Sequence, residues 1–380
     1  MKVRLKELGE IITGNTPSKK IKEFWNSEDI YFIKPDIIED SGVNEISETN
    51  EYISEEARKK ARIVTKKSIF VTCIGSIGKI GIASAGEYAF NQQINAIVPN
   101  EKVQSKYLAY NLLYNKPRLV AMANAPVVPI INKRQFGEFI VNIETDIGRQ
   151  VKIVNVLDRL THIIRLSKQE LEKLDELIKA RFVEMFGDMI INPNGWGKVL
   201  LGEACDVRDG THDSPKYFTD GYPLVTSKNV TGGKIDFADC SLICEEDYNK
   251  INQRSKVDMG DILMPMIGTV GNPVIVDIEA EFAIKNVALI KFRENSTVIN
   301  SFVKALLESD YFDRAVISKV RGGTQKFISL GDIRKLEICL PPIAVQEQFS
   351  DFAKQVDKSK LMFQKLHQKL NILRQKAGNI

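Results

Sequence analysis

Side chains able to contact a nucleic acid recur at matching places along this chain. Near the start stand Asn15, Thr16, Lys19, Lys20 and Lys22, and 196 residues later Thr211, His212, Asp213, Ser214 and Lys216 take the equivalent places. Midway, Asn91, Gln92 and Gln93 correspond to Lys285 and Asn286, and Lys228 stands early in the second half. Late in the first half come Asn132, Lys133, Arg134 and Gln135; late in the second, a loop of Arg321, two glycines, Thr324, Gln325 and Lys326. Amide and guanidinium groups match the donor and acceptor edges of bases, while ammonium and hydroxyl groups suit phosphates. For any one of these residues a solvated loop explains as much. Recurrence at equivalent sites with altered identity is what makes the set informative.

Other chemistries find no support. The run from Gly75 through Gly78 to Gly81 contains Lys79, but its spacing is not that of a phosphate loop and no Ser or Thr follows the lysine. Its counterpart has Asn272 in place of the lysine, so both copies are expected to be glycine-bearing turns between strands. No Asn-Pro-Pro-aromatic run of an amino-methyltransferase is present, and Pro341-Pro342 after Leu340 cannot replace it. His162, His212 and His367 are scattered, so neither a His-based triad nor a metal site is expected. The five cysteines (Cys73, Cys205, Cys240, Cys244, Cys339) contain no CxxC pair, as expected of free thiols in a reducing compartment.

These residues need a scaffold, and the scaffold is written twice. Ser68–Ser84 reads SIFVTCIGSIGKIGIAS and Asp261–Asp277 reads DILMPMIGTVGNPVIVD, with Gly75 and Gly78 falling on Gly268 and Gly271. Val3, Leu5, Glu7 and Gly14 match Val199, Leu201, Glu203 and Gly210; Ile131, Phe136, Phe139 and Val141 match Ile328, Ile333, Leu336 and Ile338. Short apolar runs at Ile30–Ile33, Ile69–Cys73 and Ile94–Val98 predict strands, as do Leu224–Thr226, Ile262–Met266 and Val287–Phe292. The stretches 107–122 and 302–320 read as mostly helical.

Each copy runs into a long amphipathic helix. Residues 147–186 place Ile147, Val151, Val154, Leu157, Leu160, Ile164, Leu171, Leu174, Ile178, Phe182 and Met185 on one stripe, which skips at Ser167 and Lys168. Residues 345–377 place Val345, Phe349, Phe352, Val356, Phe363, Leu366, Leu370 and Leu373 on a heptad seam broken at Ser359. Forty residues of helix reach roughly 60 Å at ~1.5 Å per residue, so the stripe needs a partner, and its own repeat is the nearest one. The predicted plan is α+β: a globular domain over 1–145, a spacer helix over 146–186, a linker over 187–197, a second globular domain over 198–342 and a second spacer helix over 343–380. The two helices are expected to pair as an antiparallel coiled coil, giving the chain a pseudo-two-fold internal repeat.

Composition sets looser bounds. Fifty-three Lys and Arg against 49 Asp and Glu leave a net charge of +4, compatible with nucleic-acid binding without requiring it. No apolar run approaches the ~18–20 residues of a membrane span, and the opening MKVRLKELGE has no apolar signal core, so a cytoplasmic location is expected.

Taken together, the motifs resemble the specificity (S) subunit of type I restriction-modification systems over essentially the whole chain. The residues that carry the resemblance are Val3 and Leu5 followed by Gly14, the strand with its Gly75–Gly78 turn, the Gly322-Gly323-Thr324-Gln325 loop, and the run from Ile338 through Pro341, Pro342 and Gln346 to Gln348 into a long helix. In the first copy this last run, Asn142 to Gln150, lacks both prolines but keeps the glutamine and the helix. The chain opens directly at its first strand, so an N-terminal extension of the kind some relatives carry is expected to be absent. The resemblance implies a non-catalytic subunit that reads a bipartite double-stranded DNA target, one half-site for each target recognition domain. It implies two methyltransferase (M) subunits on the helices and globular domains, restriction (R) subunits in the full complex, and no cofactor on this chain, since S-adenosylmethionine belongs to the methyltransferase. Two other readings stand beside it: a coiled-coil scaffold for protein partners without sequence reading, and a catalytic methylase or nuclease subunit.

Overall fold

The computed structural model describes all residues except 41, 124–127, 268–269, 280, 318–326 and 379–380, and describes no side chain at 377–378. The chain divides into two compact units: Met1–Gln169 with Gln364–Ile380, and Glu170–Phe363. Each unit contains one β-rich domain and one part of each long helix.

In the first unit, Ile69–Thr72, Ile80–Ala83 and Ile94–Pro99 are buried apolar strands at the centre of a five-stranded sheet. Ile69–Thr72 pairs antiparallel with both neighbours, Phe70 opposing Gly81 on one side and Ala96 on the other. Gly9–Thr13 and Val43–Ile46 form the edges. A four-stranded sheet, ordered Tyr52–Ile53, Ile30–Ile33, Glu87–Phe90 and Ile63–Thr65, packs its Phe90 and Tyr88 rings on Phe70. The expected glycine turn joins Ile69–Thr72 to Ile80–Ala83: Gly75 and Gly78 have φ of +75° and +79°, values that favour a residue without Cβ.

The second unit repeats this plan with different trimmings. Asp206–Asp209, Val287–Lys291, Ile262–Pro265 and Val274–Ile275 form one sheet, and Ser241–Ile243, Tyr222–Val225 and Ala283–Ile284 the other. Where the first unit has a short 3-10 turn at Glu55–Lys60, the second has a full helix at Glu245–Ser255. The predicted helical stretch 302–320 is two helices, Asn300–Leu307 and Asp310–Ala315. Ser309 separates them by capping the first, its hydroxyl donating to Leu306 O at 2.6 Å. Small two-stranded ladders close each domain, Val3 opposite Val141 and Val199 opposite Ile338.

Below each ladder the chain enters a long helix, Ile147–Phe186 or Ile343–Gly378. One side chain fixes each entry. Gln150 Oε1 accepts from Gln104 N–H at 2.7 Å, and its Nε2 donates to Lys102 O at 3.3 Å and Glu144 O at 2.7 Å. Gln346, 196 residues on, does the same: Ile299 N–H to Oε1 at 3.0 Å, and Nε2 to Thr297 O at 3.0 Å and Pro341 O at 2.8 Å. Both side chains are fully buried. The joint is thus built alike in both copies although only the second has the prolines, and the buried amide is what the two share.

In the second unit the two helices touch directly. Phe182 meets Phe349 with ring centroids 5.6 Å apart, Arg181 lies over Phe352, and Asp175 pairs with Lys360 at 2.6 Å. Numbers fall along one helix as they rise along the other, so the helices run antiparallel here. Burial corrects the predicted seam. Leu366 and Leu373 are exposed, and the inward stripe runs through buried Phe349, Ala353, Val356 and Leu370 and half-buried Lys360, Phe363, His367 and Arg374, in steps of four and three. Lys360 can occupy the stripe because its stem packs while its ammonium finds Asp175 and Asp357. On the central helix Ile147 and Val151 are exposed, and Ser167 is buried within the stripe rather than interrupting it.

Replacing Gln346 with Ala strands an N–H and two carbonyls in a dry junction. Each unsatisfied buried group costs about 1–3 kcal/mol, so Gln346→Ala is expected to destabilise the second unit by about 3 kcal/mol or more. Urea unfolding monitored at Trp196, which packs on Phe186, measures this, with exposed Gln348→Ala as the control.

Candidate DNA-recognition surface

Two glycines bring the polar loops together. Gly14 crosses so close under the turn at Phe90 and Asn91 that a Cβ would lie 2.2 Å from Asn91 O; at Gly210 it would lie 2.2 Å from Ile284 O. Their N–H groups donate to Ile94 O at 3.0 Å and Val287 O at 3.1 Å. The crossing lays Asn15 and Thr16 beside Asn91 and Gln92, and Thr211 and His212 beside Lys285 and Asn286.

In the first unit the Thr16 hydroxyl donates to Gln92 Oε1 at 3.0 Å, and both side chains are exposed. Asn15 is occupied at both ends of its amide, donating to Lys60 O at 2.6 Å and accepting from Arg62 N–H at 2.9 Å. Asn91 is 8 % exposed and holds Gln93 through its amide. These two asparagines therefore shape the loop, and Thr16 and Gln92 present its polar atoms. Lys19 pairs with Glu51 at 3.2 Å and sits 5.0 Å from the Trp25 ring. Lys34 shares Glu51, and burial together with the Lys19 charge lowers its pKa. Lys20 and Lys22 are exposed and make no hydrogen bond or ion pair among the described residues.

In the second unit Thr211 N–H donates to Ile284 O at 2.9 Å, and Thr211 O accepts from Asn286 N–H at 3.2 Å. Lys285 Nζ donates to Ser214 Oγ at 2.6 Å. His212 stands between two oxygens, its Nδ1 2.7 Å from Asn286 Oδ1 and its Nε2 2.8 Å from Asp209 Oδ2. The hydrogen bond to Asn286 is the larger cause, with that to Asp209, of a pKa raised above the ordinary histidine value. Arg254, on the helix Glu245–Ser255, pairs with the other oxygen of Asp209. Asn286 has φ of +54°, in the left-handed region that asparagine tolerates better than most residues. His212, Arg254, Thr211, Asp213, Asp247 and Lys250 line a cleft of about 350 Å³. Lys228 is exposed in the turn that follows the strand Tyr222–Val225.

The late cluster divides differently. Asn132 and Gln135 form a capping box: Asn132 Oδ1 accepts from Gln135 N–H at 2.9 Å, and Gln135 Oε1 from Asn132 N–H at 3.0 Å. Ser329 and Asp332 do the same in the second unit. Lys133 and Arg134 are exposed in the first turn of the helix Lys133–Glu138, and no hydrogen bond or ion pair among the described residues joins them to the Thr16–Gln92 cluster. Arg321, Thr324, Gln325 and Lys326 lie outside the described residues; Phe327, just after them, bridges Ile267. Nothing in the sequence singles out Asp209 and Arg254, because Arg254 belongs to a polar helix without a counterpart in the first copy. No group of three or more His, Cys, Asp or Glu that could hold a metal occurs among the described residues. Nor is any described helix long and apolar enough to cross a membrane.

A doubled β-rich domain with long helices packed together, presenting hydrogen-bonding loops at equivalent places, defines a recognition protein. The model of the type I restriction modification DNA specificity domain matches it twice, over residues 1–176 and 193–373, and the chain belongs to that family, whose part in restriction-modification is specificity and not catalysis. It is 26% identical to the type I restriction enzyme MjaIX specificity subunit of Methanocaldococcus jannaschii, over 91% of this chain and 84% of that one. Over 28% of this chain and 23% of the relative it is 34% identical to the HindI specificity subunit of Haemophilus influenzae. The fold is similar to the crystal structure of a type I restriction-modification S subunit from M. genitalium: TM-score 0.58, 14% identity, 100% of this chain and 95% of that one. A chain solved in work on assembly and conformational transition of the type I system gives the same TM-score at 18% identity, over 100% and 96%.

The exposed lysines offer a direct check of the surface. Changing Lys19, Lys20 and Lys22 together to Ala is expected to weaken binding to specific and random DNA alike. The slope of log affinity against log salt should fall by roughly 0.9 for each phosphate that is no longer neutralised. Unchanged slopes in a filter-binding or fluorescence titration would remove this loop from the interface.

Proposed function

We propose that each β-rich domain reads one half of a bipartite DNA target through the major groove and its phosphates. The carrying observation is the repeated crossing with altered contents. Thr16 with Gln92 and His212 with Asn286 occupy equivalent places on one scaffold yet display different hydrogen-bonding groups, as two different half-sites require. A good bidentate pairing with a base contributes about 1–3 kcal/mol of discrimination, so a few side chains suffice for a half-site. The candidate DNA-binding residues are Asn15, Thr16, Lys19, Lys20, Lys22, Asn91, Gln92, Lys133 and Arg134 in the first domain. In the second they are Thr211, His212, Lys228, Lys285, Asn286, Arg321, Thr324, Gln325 and Lys326. Asn15 and Asn91 contribute by holding the loop.

The helix pair sets the distance between half-sites and, with the β-rich domains, receives two methyltransferase subunits, which bind S-adenosylmethionine and methylate adenine. Restriction subunits join the complete cytoplasmic complex and cut unmodified DNA. Exchanging 198–342 for the equivalent segment of a relative is expected to change one half of the methylated motif and leave the other, as read by methylation-sensitive sequencing of DNA from a host expressing the chain with its methyltransferase. Change in both halves, or in neither, would refute the modular reading.

Spacing gives an independent test. Four residues inserted in each helix, between 169 and 170 and between 363 and 364, add ~6 Å while nearly keeping the 3.6-residue phase. The same half-sites are then expected with a spacer one or two base pairs longer, at ~3.4 Å per pair. Retention of the original spacer would sink the ruler.

A further inference from the structure

The pair His212–Asn286 has a property its counterpart lacks. The Thr16 hydroxyl can rotate to suit Gln92 in either orientation. An imidazole between two oxygens satisfies both only when both nitrogens carry protons. Asp209 accepts only, so a neutral ring gives its single proton to Oδ2 at 2.8 Å and turns the Nδ1 lone pair on Asn286 Oδ1 at 2.7 Å. Turning the Asn286 amide by 180° relieves that repulsion, because Nδ2–H then donates to the ring. The Asn286 backbone need not follow: its N–H is held by Thr211 O at 3.2 Å and its carbonyl accepts from Ser227 Oγ at 3.4 Å. What changes is the atom directed away from His212. With the imidazolium it is Nδ2, a donor without a partner among the described residues; with the neutral ring it is Oδ1, an acceptor.

We propose that His212 is a proton-controlled positioning residue that selects which face of the Asn286 amide the second domain offers to a base. This rests on the reading that the second domain binds bases through this cluster. A donor favours the keto oxygens of guanine and thymine; an acceptor favours the amino groups of adenine and cytosine. The groups around the ring set where the change occurs. Asp209 from the strand Asp206–Asp209 favours the imidazolium, as does the Asn286 oxygen; Arg254 opposes it while occupying the other Asp209 oxygen. Asp247 and Lys250, on the same helix as Arg254, and Asp213 line the cleft beside the ring, and Lys285 is turned to Ser214. The balance raises the His212 pKa, so the donor face persists to higher pH than at an ordinary histidine and is lost as pH rises through that raised value.

The test uses the chain assembled with the methyltransferase of its host, S-adenosylmethionine and a random-sequence DNA library. Methylated sites are sequenced after reaction at about pH 6 and about pH 9, either side of the histidine transition. Exchange of 198–342 first identifies the half-site of the second domain. At one position of that half-site the ratio of G and T to A and C is expected to fall about tenfold from low to high pH, the equivalent of ~1.4 kcal/mol, while the other half-site keeps its preferences. His212→Ala should erase the pH response, and His212→Lys, a permanent donor, should hold the low-pH preference at both values. A half-site that moves with the exchanged segment yet reads the same at both pH values overturns the role of His212. So does a pH response that survives in His212→Ala. If the exchange leaves the motif untouched, the reading beneath the proposal fails instead.

Discussion

Gln150 and Gln346 each insert a primary amide between the last strand of a β-rich domain, the loop that leads into one of its helices, and the first turn of a spacer helix. Three backbone groups that would otherwise be stranded in a dry interior depend on each amide. Because the amide offers a donor and an acceptor at a fixed separation, it sets the angle at which the helix leaves the domain. No aliphatic residue of similar volume could do so without leaving those groups unpaired. The direction each helix takes from its own domain is referred to this joint.

From the joint outward the two units differ in how polar they are. The second unit grips its helices with Phe182, Phe186, Phe302 and Phe349, whose rings interlock at 4.9–5.8 Å. The first uses hydrogen bonds and charge at comparable places: Tyr110 donates to Asp158 at 2.7 Å, and Lys106 bridges Asp158 and Glu45. The two candidate recognition surfaces are likewise unequal, one built on a hydroxyl and an amide, the other on an imidazole between a carboxylate and an amide.

Much of this was legible in the sequence, for identifiable reasons. Ile69, Phe70, Val71 and their counterparts announce buried strands because every residue is apolar, and the glycines between them sit where φ must be positive. The long helices were legible because a stripe repeated over many turns cannot be confused with a strand. The seam beyond Phe363 was not, since a hydropathy pattern favours Leu366 and Leu373, whereas the less exposed positions there are His367, Leu370 and Arg374. The repeat set Thr16 against His212 and the group Asn91–Gln93 against Lys285 and Asn286, without matching the latter residue by residue. That each pair touches follows from the crossing at Gly14 and Gly210, a distance no linear pattern contains. Nor could the sequence distinguish Asn132, spent on a helix cap, from its exposed neighbours Lys133 and Arg134.

The ammonium of Lys360 has a consequence for how such a helix pair can vary over time. A shift of the C-terminal helix by one heptad would bring Lys360 opposite Lys168 in one direction and Phe182 in the other. The first sets two cations together, and the second strands a charge among aromatic rings. The pair therefore resists sliding by whole heptads, and a change in its reach asks for residues gained or lost in both helices.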